Sequence, residues 1–222
     1  MLVDLHVHTK LSSDSNVAPE QYFEAIAKNP TPLGAICFTE HRRFPDDAEI
    51  DRSYAELSER FGVRIFKGVE ADTNLGHLLI FGITREFRRR FDLDSRMLRA
   101  EQVIEVVHGE GGIAIPAHPF RDSGYGARLD GLLAKVGPAL SAIEAINGQN
   151  SHDQNAEALA TAEKLGLTPL AGSDAHFSTA NWFLTCATEL DREVATVEDL
   201  CVELRAGRAR PFRFPRDGTA RQ

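Results

Sequence analysis

The sequence predicts an α/β domain built as a barrel of strand–helix units, and two observations lead there. Short apolar runs alternate with longer segments of helical period along the chain, a pattern that fits neither an all-β nor an all-α domain. At the ends of those runs stand imidazoles and carboxylates, in Asp4-Leu5-His6-Val7-His8, Thr39-Glu40-His41 and Ser173-Asp174-Ala175-His176. Active sites of parallel-strand barrels gather at the C-terminal strand ends, so this placement predicts one rim that carries the chemistry. Residues two apart on a strand point the same way, so His6 with His8, and Asp174 with His176, present paired groups.

In chain order, strands are expected at 2–7, 34–39, 64–69, 77–82, 112–116, 142–146 and 168–171, where apolar residues run together. Helices are expected at 19–28, 47–61, 95–108, 151–165 and 197–206. Ser95 is read as the cap of its helix, and Gly109, Gly166 and Gly207 stand where helices stop. His77 follows Glu70 by seven residues, too few for a crossover helix, so those two strands are read as a hairpin. The reading gives one domain over residues 1–214 and a flexible tail at 215–222, with the Arg-Pro-Phe-Arg-Phe-Pro segment as a last docked piece.

A length of 222 residues, 42% hydrophobic and 26% charged, suffices for a sizeable core. The formal net charge of −8 argues against a protein that wraps duplex nucleic acid, although a metal cluster inside an acidic surface still attracts phosphates. Cys37, Cys186 and Cys201 are odd in number and widely spaced, which suggests neither a disulfide framework nor a thiolate zinc site. A soluble protein of the reducing cytosol is expected, with no signal peptide and no membrane span.

Of the eight histidines, six fall at or just beyond expected strand ends: His6, His8, His41, His77, His118 and His176. Asp14, Glu70 and Asp174 join them by position. A single histidine at a strand end is usually a hydrogen-bonded structural residue. Two His/Asp pairs at opposite ends of the chain, with a Glu and three more His between them, point to metal. Gly109-Glu110-Gly111-Gly112 follows a helix and precedes a strand, the reverse of a phosphate-cradling loop. Arg88-Arg89-Arg90 is read as a solvated turn, and Trp182 and Phe183 either pack the barrel or line the substrate mouth, with packing as the default.

Asp4-Leu5-His6-Val7-His8-Thr9 with Ser13-Asp14, then Thr39-Glu40-His41, Gly68-Val69-Glu70, Ala117-His118-Pro119 and Gly172-Ser173-Asp174-Ala175-His176 resemble the PHP (polymerase and histidinol phosphatase) superfamily. The match runs from residue 2 to residue 176 with the motifs in order, and 196–212 resembles the helix and strand that often close this family. The resemblance implies a distorted (β/α)7 barrel, TIM-like, with a trinuclear metal cluster at the C-terminal ends of the strands. It implies that His6, His8, Glu70 and Asp174 hold one ion, that Glu70 bridges to a second held by His77 and His118, and that Asp14, His41 and His176 hold a third. His77 carries the shortest motif of these.

Those side chains leave coordination positions for water and substrate, since three ions of coordination four to five need roughly twelve to fifteen ligands. Nitrogen and oxygen ligands without thiolate suit zinc, manganese or iron. The implied activity is phosphate-ester hydrolysis of a small metabolite or nucleotide, with a metal-bound hydroxide held by Glu70, Asp174 and His8 as nucleophile. Arg121, in the loop after His118, is the first candidate for binding substrate phosphate, followed by Arg42 and Arg43; Lys10 is a weaker one.

Three other readings stand beside this one. A nuclease for single-stranded or terminal nucleotides lacks a basic groove, so nucleic acid is not the favoured partner. An amidohydrolase also opens with His-x-His, but the Asp174/His176 pair and the bridging Glu70 fit it less well. A regulatory barrel without turnover would be expected to have lost ligands, whereas all nine positions hold competent groups. The sequence leaves the oligomeric state open.

Overall fold

Strand β1 (Leu2–Val7) is buried along its whole length, and the other strands are arranged about it. The structure, a computed structural model, describes residues 1–122, 125–179 and 181–215. Strands β2 (Ala35–His41) and β3 (Arg64–Thr73) continue from β1 in parallel. Strand β4 (Gly76–Phe81) turns back on β3, pairing Glu70 with Leu79 and Asp72 with His77, and β5 (Ile113–Pro116) runs antiparallel to β4. On the other edge of β1 lie β8 (Cys186–Leu190) and β9 (Ala209–Arg213), each antiparallel to its neighbour. Strands β6 (Ala142–Asn147) and β7 (Thr168–Gly172) form a separate parallel pair.

Strand β1 serves two partners, and that division shapes the rim. Leu2 and Val3 pair with β8, whereas Val7 bridges Ala175, in the segment after β7. His8 N donates to Ala175 O at 3.0 Å, and Asp174 N to His6 O at 2.7 Å. The register of β1 against β2 shifts between Asp4 and Val7. A bulge increases local twist, so the far end of β1 carries its histidines toward the β6–β7 pair.

The expected (β/α)7 barrel is therefore met at the level of a mixed α/β fold with a curled sheet. The described strands divide into a seven-stranded mixed sheet and a two-stranded one. Two physical causes account for the departure. The β3–β4 connection is too short for a helix, so β4 reverses, and β8 takes the edge of β1 that a closed ring would need.

Helices α1 (Pro19–Lys28), α2 (Ala48–Phe61), α4 (Ala100–Gly109), α6 (His152–Leu165) and α7 (Val197–Arg205) occupy the expected segments. Two corrections concern helices. The α4 helix starts five residues after Ser95, whose hydroxyl accepts from Met97 N instead of capping it. Arg88-Arg89-Arg90 is not a turn but the last turn of a short helix α3 (Arg85–Arg90), capped by Thr84. Helix α5 (Leu129–Val136) and strand β8 were not anticipated. Of the expected tail, residues 216–222 lie outside the described residues. No helix among the described residues is long and apolar enough to cross a membrane.

The core falls into clusters on either side of the strands. Ile104 and Val107 of α4 pack on Val69, Leu78 and Ile80; Leu200 and Leu204 of α7 pack with Leu79, Phe81 and Ile113; Tyr22, Phe38 and Phe183 meet beside α1. Helix α7 also brings down Glu203, which is fully buried. Arg192 Nε (2.6 Å) and Arg208 Nε and Nη2 (both 2.8 Å) donate to its carboxylate. Those bonds, Arg208's first, hold the Glu203 carboxyl at about 2, against an ordinary 4.5.

Because the folded value lies below the ordinary one, this clamp contributes fully above pH 4.5 and is lost as pH falls toward 2. Glu203→Gln is expected to lower unfolding stability by about 1–3 kcal/mol at pH 7. Urea titration checks this: the difference between the two proteins should shrink as the buffer is taken from pH 5 toward pH 3.

Candidate metal centre

All nine nominated ligands converge on one rim. His6 and His8 come from the end of β1, His41 from the end of β2, Glu70 from β3 and His77 from β4. His118 follows β5, Asp174 and His176 follow β7, and Asp14 lies in the loop before α1. Glu70 sits in the middle. Its Oε2 lies 3.2 Å from His6 Nε2, 3.2 Å from His8 Nε2 and 3.1 Å from His41 Nδ1. Its Oε1 lies 2.6 Å from His77 Nδ1 and 2.8 Å from His118 Nε2.

Asp174 Oδ1 faces the same two rings, 3.4 Å from His6 Nε2 and 3.5 Å from His8 Nε2. Asp14 Oδ2 lies 3.1 Å from His41 Nε2 and 3.4 Å from His176 Nε2. His8 stacks between His41 and His176, at ring separations of 4.3 and 4.2 Å.

These contacts have the character of a cation cradle. His6 Nε2, His8 Nε2, His41 Nδ1 and Glu70 Oε2 are buried without a hydrogen-bond partner among the described residues, which native interiors avoid unless something else satisfies the atoms. Ligands about 2.0–2.1 Å from a tetrahedral ion stand roughly 3.3–3.4 Å from one another. The distances of 3.2 to 3.5 Å linking His6, His8, Glu70 and Asp174 match that spacing. Two further groups, His8 with His41 and His176, and His41 with Glu70 and His77, each bring ligand atoms within 4.8 Å of one another.

Charge in the cluster is strongly coupled. Against the desolvation of burial, the neighbouring rings of His77, His6 and His41 hold the Glu70 carboxyl well below its ordinary range. His6, also working against burial, keeps Asp174 low as well. Burial opposes a charged His77 too, but the Glu70 and Asp72 carboxylates raise it to about 10. Burial lowers His118, which therefore favours its neutral form.

A second layer, missed in the sequence, fixes the rings. Glu144 on β6 is buried; its Oε1 lies 2.8 Å from His6 Nδ1, and its Oε2 accepts from His118 N at 2.7 Å and Asn147 Nδ2 at 3.0 Å. Glu40 accepts from Ser12 Oγ at 2.5 Å and Thr9 Oγ1 at 2.6 Å, and Ser12 Oγ lies 3.1 Å from His8 Nδ1. With its own proton committed to Glu40, Ser12 is left to accept from His8. Both Nδ1 atoms are thus directed at acceptors, which leaves the Nε2 atoms facing inward, where a bound metal would take the place of any proton on them. His176 Nδ1 likewise reaches Asp174 O at 3.0 Å, turning its Nε2 toward Asp14. The available signal was a Glu set in a buried strand in each case, Glu40 beside Thr39 and His41 in β2 and Glu144 among apolar residues in β6.

The backbone is strained where ligands are presented. Asp174 (φ 55°), His118 (φ 31°) and Arg42 (φ 54°) all adopt left-handed conformations, which cost energy outside glycine and cluster at functional sites. Asp174 and His176 lie beyond β7, so their shared direction arises from this turn and not from strand alternation as expected. Gly172 permits it: a Cβ there would meet His6 Cβ at 2.5 Å and Glu144 Oε1 at 2.8 Å.

The cluster opens into a cavity of about 470 Å³ lined by Arg42, Arg96, Arg121, Tyr125, Gln149, Phe177 and Trp182, among others. Arg121 donates Nη2 to Asp174 Oδ2 and Asn147 Oδ1, both at 2.7 Å. Arg42 donates Nη1 to Asp72 Oδ2 at 3.0 Å. Arg43 is not among the lining residues, and Lys10 faces a separate, smaller pocket. Arg96 lines the cavity although the sequence reading passed it over. Trp182 stands at the mouth with Phe177, whereas Phe183 is fully buried.

Residues 152–209 match the family model described as PHP-associated (PHP_C). Among solved structures, PsfC from Pseudomonas syringae PB-5123 is similar, with a TM-score of 0.68 at 21% identity, over 97% of this chain and 91% of that one. A candidate metal-dependent phosphoesterase from Bifidobacterium adolescentis is similar with a TM-score of 0.57 at 19% identity, over 91% of this chain and 95% of that one. The lesion-specific endonuclease Q of Pyrococcus furiosus gives a TM-score of 0.67 at 17% identity, over 95% of this chain, which spans only 57% of that one. These likenesses carry the fold.

Glu144→Gln is expected to weaken divalent-metal affinity roughly 10–100-fold through its loss of grip on His6, with circular dichroism unchanged; metal titration of the two proteins compares them. Asp174→Asn and His8→Ala should each lower bound metal as well, measured by elemental analysis after dialysis. Since a metal must displace the proton that the Glu70 and Asp72 carboxylates hold on His77, whose pKa they raise to about 10 against burial, metal uptake should release protons and tighten as pH rises from 6 to 8. An affinity independent of pH would contradict that competition.

Proposed function

We propose that this PHP-superfamily chain is a metal-dependent phosphoesterase that hydrolyses a phosphate ester of a small metabolite or nucleotide. The observation that supports this most directly is the set of buried, unpartnered Nε2 and Oε2 atoms of His6, His8 and Glu70, gathered with Asp174 at ion-sized spacing under a cavity that holds arginines. In this reading His6, His8, Glu70 and Asp174 hold one ion, Glu70 with His77 and His118 a second, and Asp14, His41 and His176 a third. Zinc, manganese and iron all suit these donors. Bound there, divalent ions supply Lewis acidity toward a phosphoryl group and acidify a water by lowering its pKa from about 15.7 toward about 7.

The side chains of the chain have their own tasks. Glu144 and the Glu40–Ser12 pair keep His6 and His8 in the tautomer that presents Nε2. Arg121, anchored on Asn147 and Asn150, directs its guanidinium to the edge of the cluster, where it can neutralise phosphoryl oxygens. Arg42 does the same from the Asp72 side. His118, favoured in its neutral form, remains a competent ligand. The curled sheet and the β6–β7 pair are read as one distorted barrel over residues 1–214. Three buried, unpaired thiols, Cys37, Cys186 and Cys201, suit a reducing cytosol.

The test is a panel of phosphomonoesters and phosphodiesters with protein reconstituted in zinc, manganese or iron. Monoester turnover that a chelator abolishes is expected, together with a loss of roughly tenfold or more in kcat/KM for Arg121→Ala. Preference for diesters would overturn the reading in favour of a nuclease. No turnover with any of the three metals would leave a regulatory barrel.

A further inference from the structure

The three arginines that line the cavity are not equivalent. Arg42 is matched by Asp72, and Arg121 by Asp174 and two asparagine side chains. Arg96 has neither an acidic nor an amide partner among the described residues, and it is exposed to the cavity.

Its backbone is nonetheless fixed. Two residues on, Leu98 is buried and donates its N–H to Asp72 O at 3.2 Å, while accepting from Asn74 N at 2.9 Å. Arg96 therefore stands on a loop anchored beside β3 and lines the same cavity as Phe177 and Trp182. A cavity of about 470 Å³ falls within the range of roughly 300–1,000 Å³ typical of small-molecule sites. It has room for a leaving group as well as the phosphoryl group. All the exposed aromatic side chains among the described residues, Tyr125, Phe177 and Trp182, line it, beside the polar Ser13, Asp14 and Gln149.

From this we propose that Arg96 is a specificity-determining residue that engages a second negative charge, a carboxylate or phosphate carried on the leaving group of the substrate. The proposal rests on the phosphoesterase reading and narrows its substrates to phosphoesters with an anionic leaving group. The phosphoryl group sits at the cluster with Arg121 and Arg42, and the second anion meets the free guanidinium, which can bind it bidentately. A guanidinium with no internal carboxylate to displace gives up no existing ion pair when the substrate enters.

The matched pair of 2-phosphoglycerate and glycerol 2-phosphate, which differ only by a carboxylate in place of a hydroxymethyl group, provides the test with metal-reconstituted protein. Wild type should favour 2-phosphoglycerate about tenfold or more in kcat/KM, with the advantage expressed in KM. Arg96→Ala should collapse that ratio toward one, Arg96→Glu should invert it, and 0.5 M salt should shrink it. A ratio near one in wild type, or one that Arg96→Ala leaves untouched, overturns the proposal. Calorimetric binding of the same two compounds separates this from failure of the phosphoesterase reading. If neither is hydrolysed but the binding preference still disappears in Arg96→Ala, the anion site stands and the hydrolytic reading fails; no binding preference for the charged compound refutes the anion site.

Discussion

Ionisable groups concentrated in a space that excludes water are the constraint on which this architecture turns. Glu70, Asp174, His6, His8 and His118 are all almost wholly buried, and taking one unpaired ion out of water costs several kcal/mol. Mutual hydrogen bonding answers only part of that cost: the inward ring nitrogens of His6 and His8 find no hydrogen-bond partner among the described residues. Packing of this kind is unfavourable for a protein alone and becomes favourable around cations. The coupled shifts express the same conflict, with carboxylates held low and His77 held high because each depends on the charge of the other.

Other features of the fold follow from delivering those groups to one point. Strand β1 abandons β8 halfway along and pairs with the segment after β7, so that His6, His8 and Asp174 are tied by backbone hydrogen bonds before any side chain is considered. Left-handed backbone at Asp174 and His118 supplies the direction that a regular strand end would not. Glu144 then locks two of the nominated ligands at once, through the ring of His6 and the main chain of His118. Its role links the two-stranded pair to the larger sheet, so geometry at the rim and closure of the fold share one carboxylate.

Much of this was legible in the sequence because metal-ligand residue types are scarce and were written at strand ends. His6, His8, His41, Glu70, His77, His118, Asp174 and His176 were all placed together by that reasoning, as was the β3–β4 hairpin from its short connection. Glu144 and Glu40 were not, since a Glu within a strand gives no hint of which ring it will serve across the fold. Arg96 stayed hidden for a related reason: that it has no acidic or amide partner among the described residues is visible only in the tertiary structure. Helix α5 contains Gly131 and β8 is five residues long, so neither offers enough periodicity to stand out from loop. Ser95 has the chemistry of a cap but lies too far upstream, and the chain between it and α4 instead docks Leu98 against β3.

Anomalous diffraction from crystals of protein purified without chelators, collected on both sides of the zinc, iron and manganese edges, addresses the central claim most directly. A strong anomalous peak is expected where His6, His8, Glu70 and Asp174 meet, with further density on the His77/His118 and Asp14/His41/His176 sides of Glu70. Crystals grown with added metal that show no anomalous density among these side chains, or ions bound only elsewhere on the surface, would contradict it.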